Sequence, residues 1–238
     1  MSSEDNDTRP KLGHFIDGFR RMAPLSLFVI IFGLAFGVAA LQQGLSGIET
    51  LLMSGLVFAG AAQFATLELW GDTIPLLPLV AITLAVNARH LLMGAVFYPH
   101  LHDLPTGRRY ASLILLSDAN WAMAMVGGSR AVRLGILVGG GVALWSAWMI
   151  GTALGVIFGS GISEPERFGL DTIMGCFLLA MLVGGKHDLS VLLPWGAAAL
   201  AALAAMIWLP PNAHVIVGAL AGGAAGLLLP GKRREPTA

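Results

Sequence analysis

The sequence predicts an all-α fold, a polytopic bundle of about eight transmembrane helices, with seven as the alternative count. Three observations support this fold class: 56% of the residues are hydrophobic, 12% are charged, and the mean hydropathy is +0.77. Soluble domains carry roughly a quarter charged residues, so the composition excludes that class. Apolar runs of about 20 residues fit the hydrocarbon thickness as helices, and they are too long for the strands of a barrel.

Eight apolar windows place the predicted spans in order along the chain. They cover residues 22–41, 51–70, 74–98, 110–127, 134–158, 170–184, 189–209 and 213–229. The sixth window is short, which permits a tilted, broken or re-entrant helix, and we expect some of the helices to be discontinuous. The first window is as long as a true span, which indicates an uncleaved helix and not a signal peptide. Residues 1–21 are then a cytoplasmic tail, residues 22–229 the transmembrane domain, and residues 230–238 a second cytoplasmic tail.

Charge gives an orientation for these spans. Lys and Arg concentrate on the segments that face inward when both termini are cytoplasmic, as the positive-inside bias requires. Arg108 and Arg109 do not fit, because eight crossings put them on the outer side. The formal net charge is zero, so there is no electrostatic case for a nucleic-acid partner.

Glycines recur at a spacing of four residues in several spans. The sets are Gly33 with Gly37, Gly135 with Gly139, Gly151 with Gly155, and Gly218 with Gly222 and Gly226. Such faces allow helix backbones to approach closely in lipid, so we interpret them as packing surfaces. Residues 33–38 also resemble residues 151–156, and both an internal repeat and chance similarity remain open.

Polar residues at depth in the second, third and fourth predicted spans are the candidates for binding substrate or for coupling. They are Gln63, Asn87, Arg89, His90 and Asp118. A charge at the bilayer centre costs about 2.5 kcal/mol or more, so such residues suggest function. Arg89 and Asp118 each lie about 12–14 Å from the ends of their helices, which predicts an ion pair at similar depth. A structural pair and a direct substrate or proton role are both open.

The other three candidates each have a structural alternative. On an ideal helix Arg89 points about 200° away from Asn87, so a shared cavity requires a helix unwound near Asn87, or Arg89 facing a neighbouring helix. His90 could relay protons or be a hydrogen-bonded packing residue. Gln63 could bind a ligand or join two helices.

The sequence predicts no cofactor and no metal site. His100, His102 and Asp103 lie close together in a loop, but their spacing matches no ordered site. Neither a Gly-x-Ser-x-Gly elbow nor a His-Glu-x-x-His pair occurs, so an enzyme is not expected. A passive channel for small solutes and a membrane-embedded enzyme of unknown chemistry stand as alternatives to a carrier.

Three stretches follow one another in the first half of the chain: Phe58-Ala59-Gly60-Ala61-Ala62-Gln63-Phe64, Asn87-Ala88-Arg89-His90 and Leu116-Ser117-Asp118. Together they resemble the AzlC family of branched-chain amino-acid exporters, also called the LIV-E family. The resemblance implies a secondary transporter of the cytoplasmic (inner) membrane that exports branched-chain or similar hydrophobic amino acids, driven by protons. It also implies a small AzlD-type membrane subunit as partner, with this chain as the large subunit of a two-component permease.

Overall fold

A computed structural model describes residues 12–71, 73–126, 128–159, 189–209 and 213–228. In these ranges the chain forms nine α-helices and one short 3-10 helix at Tyr98–His100. The α-helices are α1 Leu12–Gln42, α2 Gly47–Val57, α3 Gly60–Leu67, α4 Leu76–Phe97, α5 Thr106–Ile114, α6 Asp118–Met125, α7 Arg130–Gly159, α8 Leu189–Trp208 and α9 Ala213–Leu228. The all-α prediction is confirmed.

Three helices in the described ranges are long and apolar enough to cross a membrane: Leu12–Gln42, Leu76–His100 and Arg130–Gly159. They confirm the spans predicted at residues 22–41, 74–98 and 134–158. Helix α1 begins well before residue 22, so the helix extends into the predicted N-terminal tail. The span predicted at residues 170–184 lies outside the described residues.

Helices α1 and α7 run parallel, and their glycines form the contact. Gly18 faces Ile136, Gly33 faces Gly151, and Gly37 faces Gly155, each pair differing by 118 in residue number. A Cβ atom on Gly33 would lie 2.7 Å from the Trp148 carbonyl oxygen, closer than real side chains approach. The predicted packing role of these glycines is confirmed. We call the end of the unit where α1 begins the N-side.

Helices α2 and α3 form a hairpin that starts and ends away from the N-side. Ser46 caps α2 by accepting the Glu49 amide at 3.3 Å, and Gly47 lies beside Val156 near the end of α7. Helix α2 then runs antiparallel to α7 and ends before Phe58. The Phe58 backbone adopts the left-handed conformation, with a φ of 40°. Helix α3 turns back, as shown by Gln63 bonding to Ser54 in α2. The chain therefore enters the bundle and leaves it on one side.

Helices α5 and α6 form a second hairpin, which opens toward the N-side. Arg130, at the start of α7, donates to the His100 carbonyl at 2.8 Å. His100 comes just after the end of α4, and Arg130 comes just after the end of α6, so these two helix ends lie together. Helix α5 runs inward from there to Leu115, whose carbonyl lies against Gly141. Helix α6 returns along α7 until Arg133 donates to the Met125 carbonyl. The two hairpins thus open to opposite sides.

This arrangement corrects two predicted spans and the orientation derived from them. Residues 51–70 and 110–127 are not single crossing helices, because each apolar window holds a break and reverses direction at it. Hydropathy averages over a break, so it reads a hairpin of two half-helices as one span. The correction places Arg108 and Arg109 on the N-side with Arg20, Arg21, Arg130 and Arg133. These six arginines then lie on one side, which agrees with the positive-inside bias.

Contacts divide the chain into two units. The first unit contains α1 to α3 and the described residues from Asn87 to Gly159. The second unit contains the start of α4, α8 and α9. Helices α8 and α9 run antiparallel, with Gly218 against Ala198 and Gly226 against Pro194. They confirm helices in the windows at residues 189–209 and 213–229, and a packing role for the Gly218, Gly222 and Gly226 set.

Candidate functional site

Asn120 builds the tip of the α5–α6 hairpin. Its carboxamide oxygen accepts the Ser117 amide at 2.7 Å, and its nitrogen donates to the Leu115 carbonyl at 2.7 Å and the Leu137 carbonyl at 2.9 Å. These bonds replace helical bonds lost at the break and fasten the tip to α7. The side chain is fully buried, so the bonds are shielded from water.

Asp118 follows this cap and lies in the first turn of α6. Its Oδ2 atom is 2.9 Å from Nη1 of Arg89 on α4, so the predicted ion pair is confirmed. The start of a helix favours a carboxylate, because the unpaired amides there carry partial positive charge. Trp121 donates to the Met93 carbonyl at 3.2 Å and holds α6 alongside α4. Both charged side chains are about 35% exposed within the described residues.

Two polar atoms on α4 keep unused hydrogen-bonding capacity. Arg89 Nε and Asn87 Oδ1 are buried and have no hydrogen-bond partner among the described residues. His90 Nδ1 lies 3.2 Å from the Asn87 carbonyl oxygen of its own helix, a distance at which Nδ1–H donates. Because α4 continues from Leu76 to Phe97, the helix is not unwound near Asn87, and the structure shows the second of the two predicted alternatives. Arg89 instead faces the neighbouring α6.

Gln63 belongs to a different polar cluster, which the sequence did not reveal as such. Its Nε2 donates to Ser54 Oγ at 3.4 Å, and Ser54 Oγ lies 2.9 Å from Thr152 Oγ1. All three side chains are fully buried. The cluster joins α2, α3 and α7, so it supports the expectation that Gln63 connects helices. The Gln63 Oε1 atom is buried with no partner among the described residues.

The tips of the two hairpins come together on α7. Phe58, at the α2–α3 break, and Ala119, in the first turn of α6, pack against the same cluster of Met22, Ala143 and Leu144. Trp145 donates to the Gly55 carbonyl at 3.2 Å, just before the first break. Gly141 to Trp148 is the middle third of α7, so both breaks lie well inside the bundle.

The loop of His100, His102 and Asp103 forms bonds that fix the N-side. Asp103 pairs with Arg130 and with His102, and Arg109 donates to the His102 carbonyl at 2.8 Å. In the described parts of the chain, no group of three or more His, Cys, Asp or Glu side chains is placed to hold a metal ion. The contacts are those of a loop clamped to α5 and α7.

Two of the residues that shape these clusters were not among the candidates because their types are common in membrane helices. Ser54 and Thr152 are ordinary small polar residues, and only the fold brings them to Gln63. A third, Asn120, did carry a signal: Ser117 three residues earlier forms a capping-box pattern inside an apolar window. That pattern marks a helix start within the window.

Comparison with known proteins supplies the family context. Residues 24–162 match the model of the family described as AzlC protein. An uncharacterized membrane protein of Archaeoglobus fulgidus is 30% identical over 189 residues, which cover 74% of this chain and 80% of that protein. The inner membrane protein YgaZ of Escherichia coli is 25% identical over 187 residues, covering 77% and 76% of the two chains.

A third relative has a name that states a transport role. The branched-chain amino acid transport protein AzlC of Bacillus subtilis is 26% identical over 172 residues, which cover 71% of this chain and 66% of that protein. No solved structure matches the chain.

Proposed function

Because this chain belongs to the AzlC family, a family of membrane transport proteins and not of enzymes, we propose that it exports branched-chain or similar hydrophobic amino acids across the cytoplasmic membrane. Relationship to a branched-chain amino acid transport protein supports the substrate class. The arginines on the N-side support an inward-facing orientation of that side.

One observation carries the site: the Arg89–Asp118 pair at the tip of a half-helix. An amino acid is a zwitterion, and a paired guanidinium and carboxylate present the two complementary charges at a fixed separation. The Arg89 Nε–H group is buried and has no partner among the described residues, so the guanidinium can donate it to a substrate carboxylate. Asp118 would receive the ammonium group.

Proton coupling is the second part of the proposal. Asp118 neutralised by a proton would release Arg89, which would open the tip toward one side and free the substrate. His90 follows Arg89 on the same helix and supplies an imidazole, a side chain that proteins commonly use to relay protons. An inward proton gradient could then drive outward movement of the amino acid.

The third part is a partner. A small AzlD-type membrane subunit would complete the permease, with this chain as the large subunit. Co-purification of the two chains from membranes tests this part. Recovery of an active exporter from this chain alone would contradict it.

The test of the site measures internal and external valine, leucine and isoleucine after cells are fed a dipeptide that releases them. Cells carry this chain with its candidate partner, with and without a collapsed proton gradient. Arg89→Ala and Asp118→Ala are expected to reduce export at least tenfold at equal membrane levels. Arg108→Ala is the matched control, because Arg108 is exposed and outside the pair.

A charge reversal separates a binding pair from a structural one. The double variant Arg89→Asp with Asp118→Arg restores the ion pair but presents the charges in the opposite order. A structural pair predicts that export returns with the swap, whereas a substrate-binding pair predicts stable protein without export. Export by the swapped variant, or by both single variants, contradicts the proposal.

A further inference from the structure

The connection between α4 and α5 holds a histidine ring that meets an acceptor at each of its nitrogens. His102 Nδ1 lies 2.9 Å from the Pro99 carbonyl oxygen, and His102 Nε2 lies 2.9 Å from Asp103 Oδ1. A carbonyl oxygen and an ionised carboxylate only accept hydrogen bonds, so each ring nitrogen has to donate. A neutral imidazole has one N–H group, whereas an imidazolium has two. Both contacts therefore form together only when each nitrogen of His102 carries a proton.

The second contact could instead be made by a neutral ring if Asp103 carried the proton. Asp103 also accepts a bond from Arg130 at the start of α7, through its other carboxylate oxygen. Arg130 in turn donates to the His100 carbonyl at 2.8 Å, which fixes the guanidinium beside the carboxylate. A proton between an imidazole and a carboxylate resides on the imidazole, because the imidazole is the stronger base. The contacts around Asp103 therefore place the proton on His102.

The ring stands among bonds that fasten the connection to its neighbours. Arg109 on α5 donates to the His102 carbonyl at 2.8 Å and lies over the Tyr98 ring, and Arg130 holds Asp103 to α7. The charged and titratable groups around the connection are Tyr98, His100 and Asp103 within it, Arg109 on α5, and Arg130 and Arg133 on α7. Asp103 is the acidic member of this set, and it is the one that faces a ring nitrogen.

We propose that His102 is a proton-binding site and that its protonation clamps the α4–α5 connection. A neutral ring has to give up Pro99 or Asp103, because a nitrogen lone pair and an oxygen repel each other at 2.9 Å. The ring is about half exposed, so protons reach it from the solution on the N-side. The connection joins the helix of Arg89 to the hairpin of Asp118, so acidification of that solution would restrain movement between the two. This inference does not depend on the proposed export activity.

The test measures backbone amide exchange in the purified full-length chain in lipid nanodiscs, at about pH 5.5 and about pH 8.5, on either side of the range in which an imidazole titrates. The amides of Leu101, His102 and Leu104 bond to carbonyls within the connection and report whether it is closed. Rates are corrected for the intrinsic pH dependence of exchange. Protection of these amides is expected to fall about threefold to fivefold at the higher pH, the size expected for loss of one exposed charge-assisted bond.

Two variants lead to opposite expectations. His102→Gln has no titratable ring, so protection should be low at both pH values. Asp103→Asn offers a donor as well as an acceptor, so a neutral His102 can keep both contacts and protection should stay high at both pH values. A loop in which these residues only fill space would give neither pattern.

His100→Gln is the matched control. His100 lies in the same connection, but its bond to Arg130 uses the backbone carbonyl and not the ring. The variant is expected to keep the pH dependence of the unaltered chain. The ratio of protection between the two pH values is compared, so a variant that is less stable at both still gives an answer.

Three results would overturn the inference. One is equal protection of the unaltered chain at both pH values, which would show that the ring does not control the connection. Another is a pH dependence that persists in His102→Gln, which would assign it to a different group. The third is a pH dependence that Asp103→Asn retains in full, which would show that the contact with Asp103 does not require the proton. Loss of export in Arg89→Ala bears only on the proposed function, so the two can fail separately.

Discussion

Replacing Gly141 by alanine tests whether the position of Asp118 depends on close packing at the α5–α6 tip. A Cβ atom on Gly141 would lie 2.6 Å from the Leu115 carbonyl oxygen and 2.8 Å from Asn120 Nδ2, whereas ordinary contact begins at 3.4 Å. The nearest atom belongs to the backbone, which cannot rotate away. The tip must therefore move from α7 by about 0.8 Å.

Two effects of this displacement can be estimated. Overpacking a well-packed site costs about 1–3 kcal/mol, so we expect the free energy of unfolding to fall by that amount. A misplacement of about 1 Å at a site that needs positioned groups can cost about 100-fold in rate. Export by Gly141→Ala is accordingly expected to fall about 10-fold to 100-fold per molecule. Unfolding is followed by tryptophan fluorescence in detergent, and export by the dipeptide-fed assay.

Gly94→Ala is the control for this variant. Gly94 lies on α4, near Arg89 in sequence, and a Cβ atom there has no neighbour within 4 Å. The substitution is expected to stabilise the helix by up to about 1 kcal/mol and to leave export unchanged. Equal stability and equal export in Gly141→Ala and Gly94→Ala would refute the claim that the tip is positioned by contact with α7.

Two further predictions follow from the hairpins. The first uses a Cys176→Ser background and a membrane-impermeant maleimide. Gly107→Cys should react from the cytoplasmic side and Gly71→Cys from the outside, because both positions have open space around them. A topology of eight crossings predicts the reverse for both variants. Asn120→Ala removes bonds to the Ser117 amide and to the Leu115 and Leu137 carbonyls, so it should lower the free energy of unfolding by about 3 kcal/mol or more in the detergent assay. Its control, Ser112→Ala, loses only a bond between an exposed hydroxyl and the Arg108 carbonyl of its own helix and should change stability little; an equal loss in both variants would contradict the assigned role of Asn120.

The long helices could be predicted from sequence because each is one uninterrupted apolar run. The hairpins could not, since a window of hydropathy gives the same value for one crossing helix and for two half-helices that meet at depth. The misfit of Arg108 and Arg109 was the available signal. Those two residues oppose the charge bias only if α5 and α6 together cross the membrane, and the hairpin removes the conflict.

The Arg89–Asp118 pair was predictable although the topology was not. The depth of Asp118 was counted along the chain from residue 110, and α5 does carry the chain inward from that end before α6 reverses it. The count of residues is the same in a crossing helix and in a hairpin. Contacts between distant segments, such as Ser54 with Thr152, are invisible to such counting because nothing in either residue type specifies its partner.

The order of elements in the first unit suggests why the glycine sets of α1 and α7 match. Helix α1 leads into a hairpin open to the far side, and α4 leads into one open to the N-side, so the two pairs have inverted orientation. Helix α7 then has the same orientation as α1. Residues of α1 contact residues of α7 that lie 118 positions later in the chain, and residues 33–38 resemble residues 151–156 at the same offset. A parallel pair with equivalent glycines facing each other is expected when two copies of one unit pack together. Close contact between two parallel glycine faces is enough to give this shared offset, whether or not the two stretches are copies of one unit.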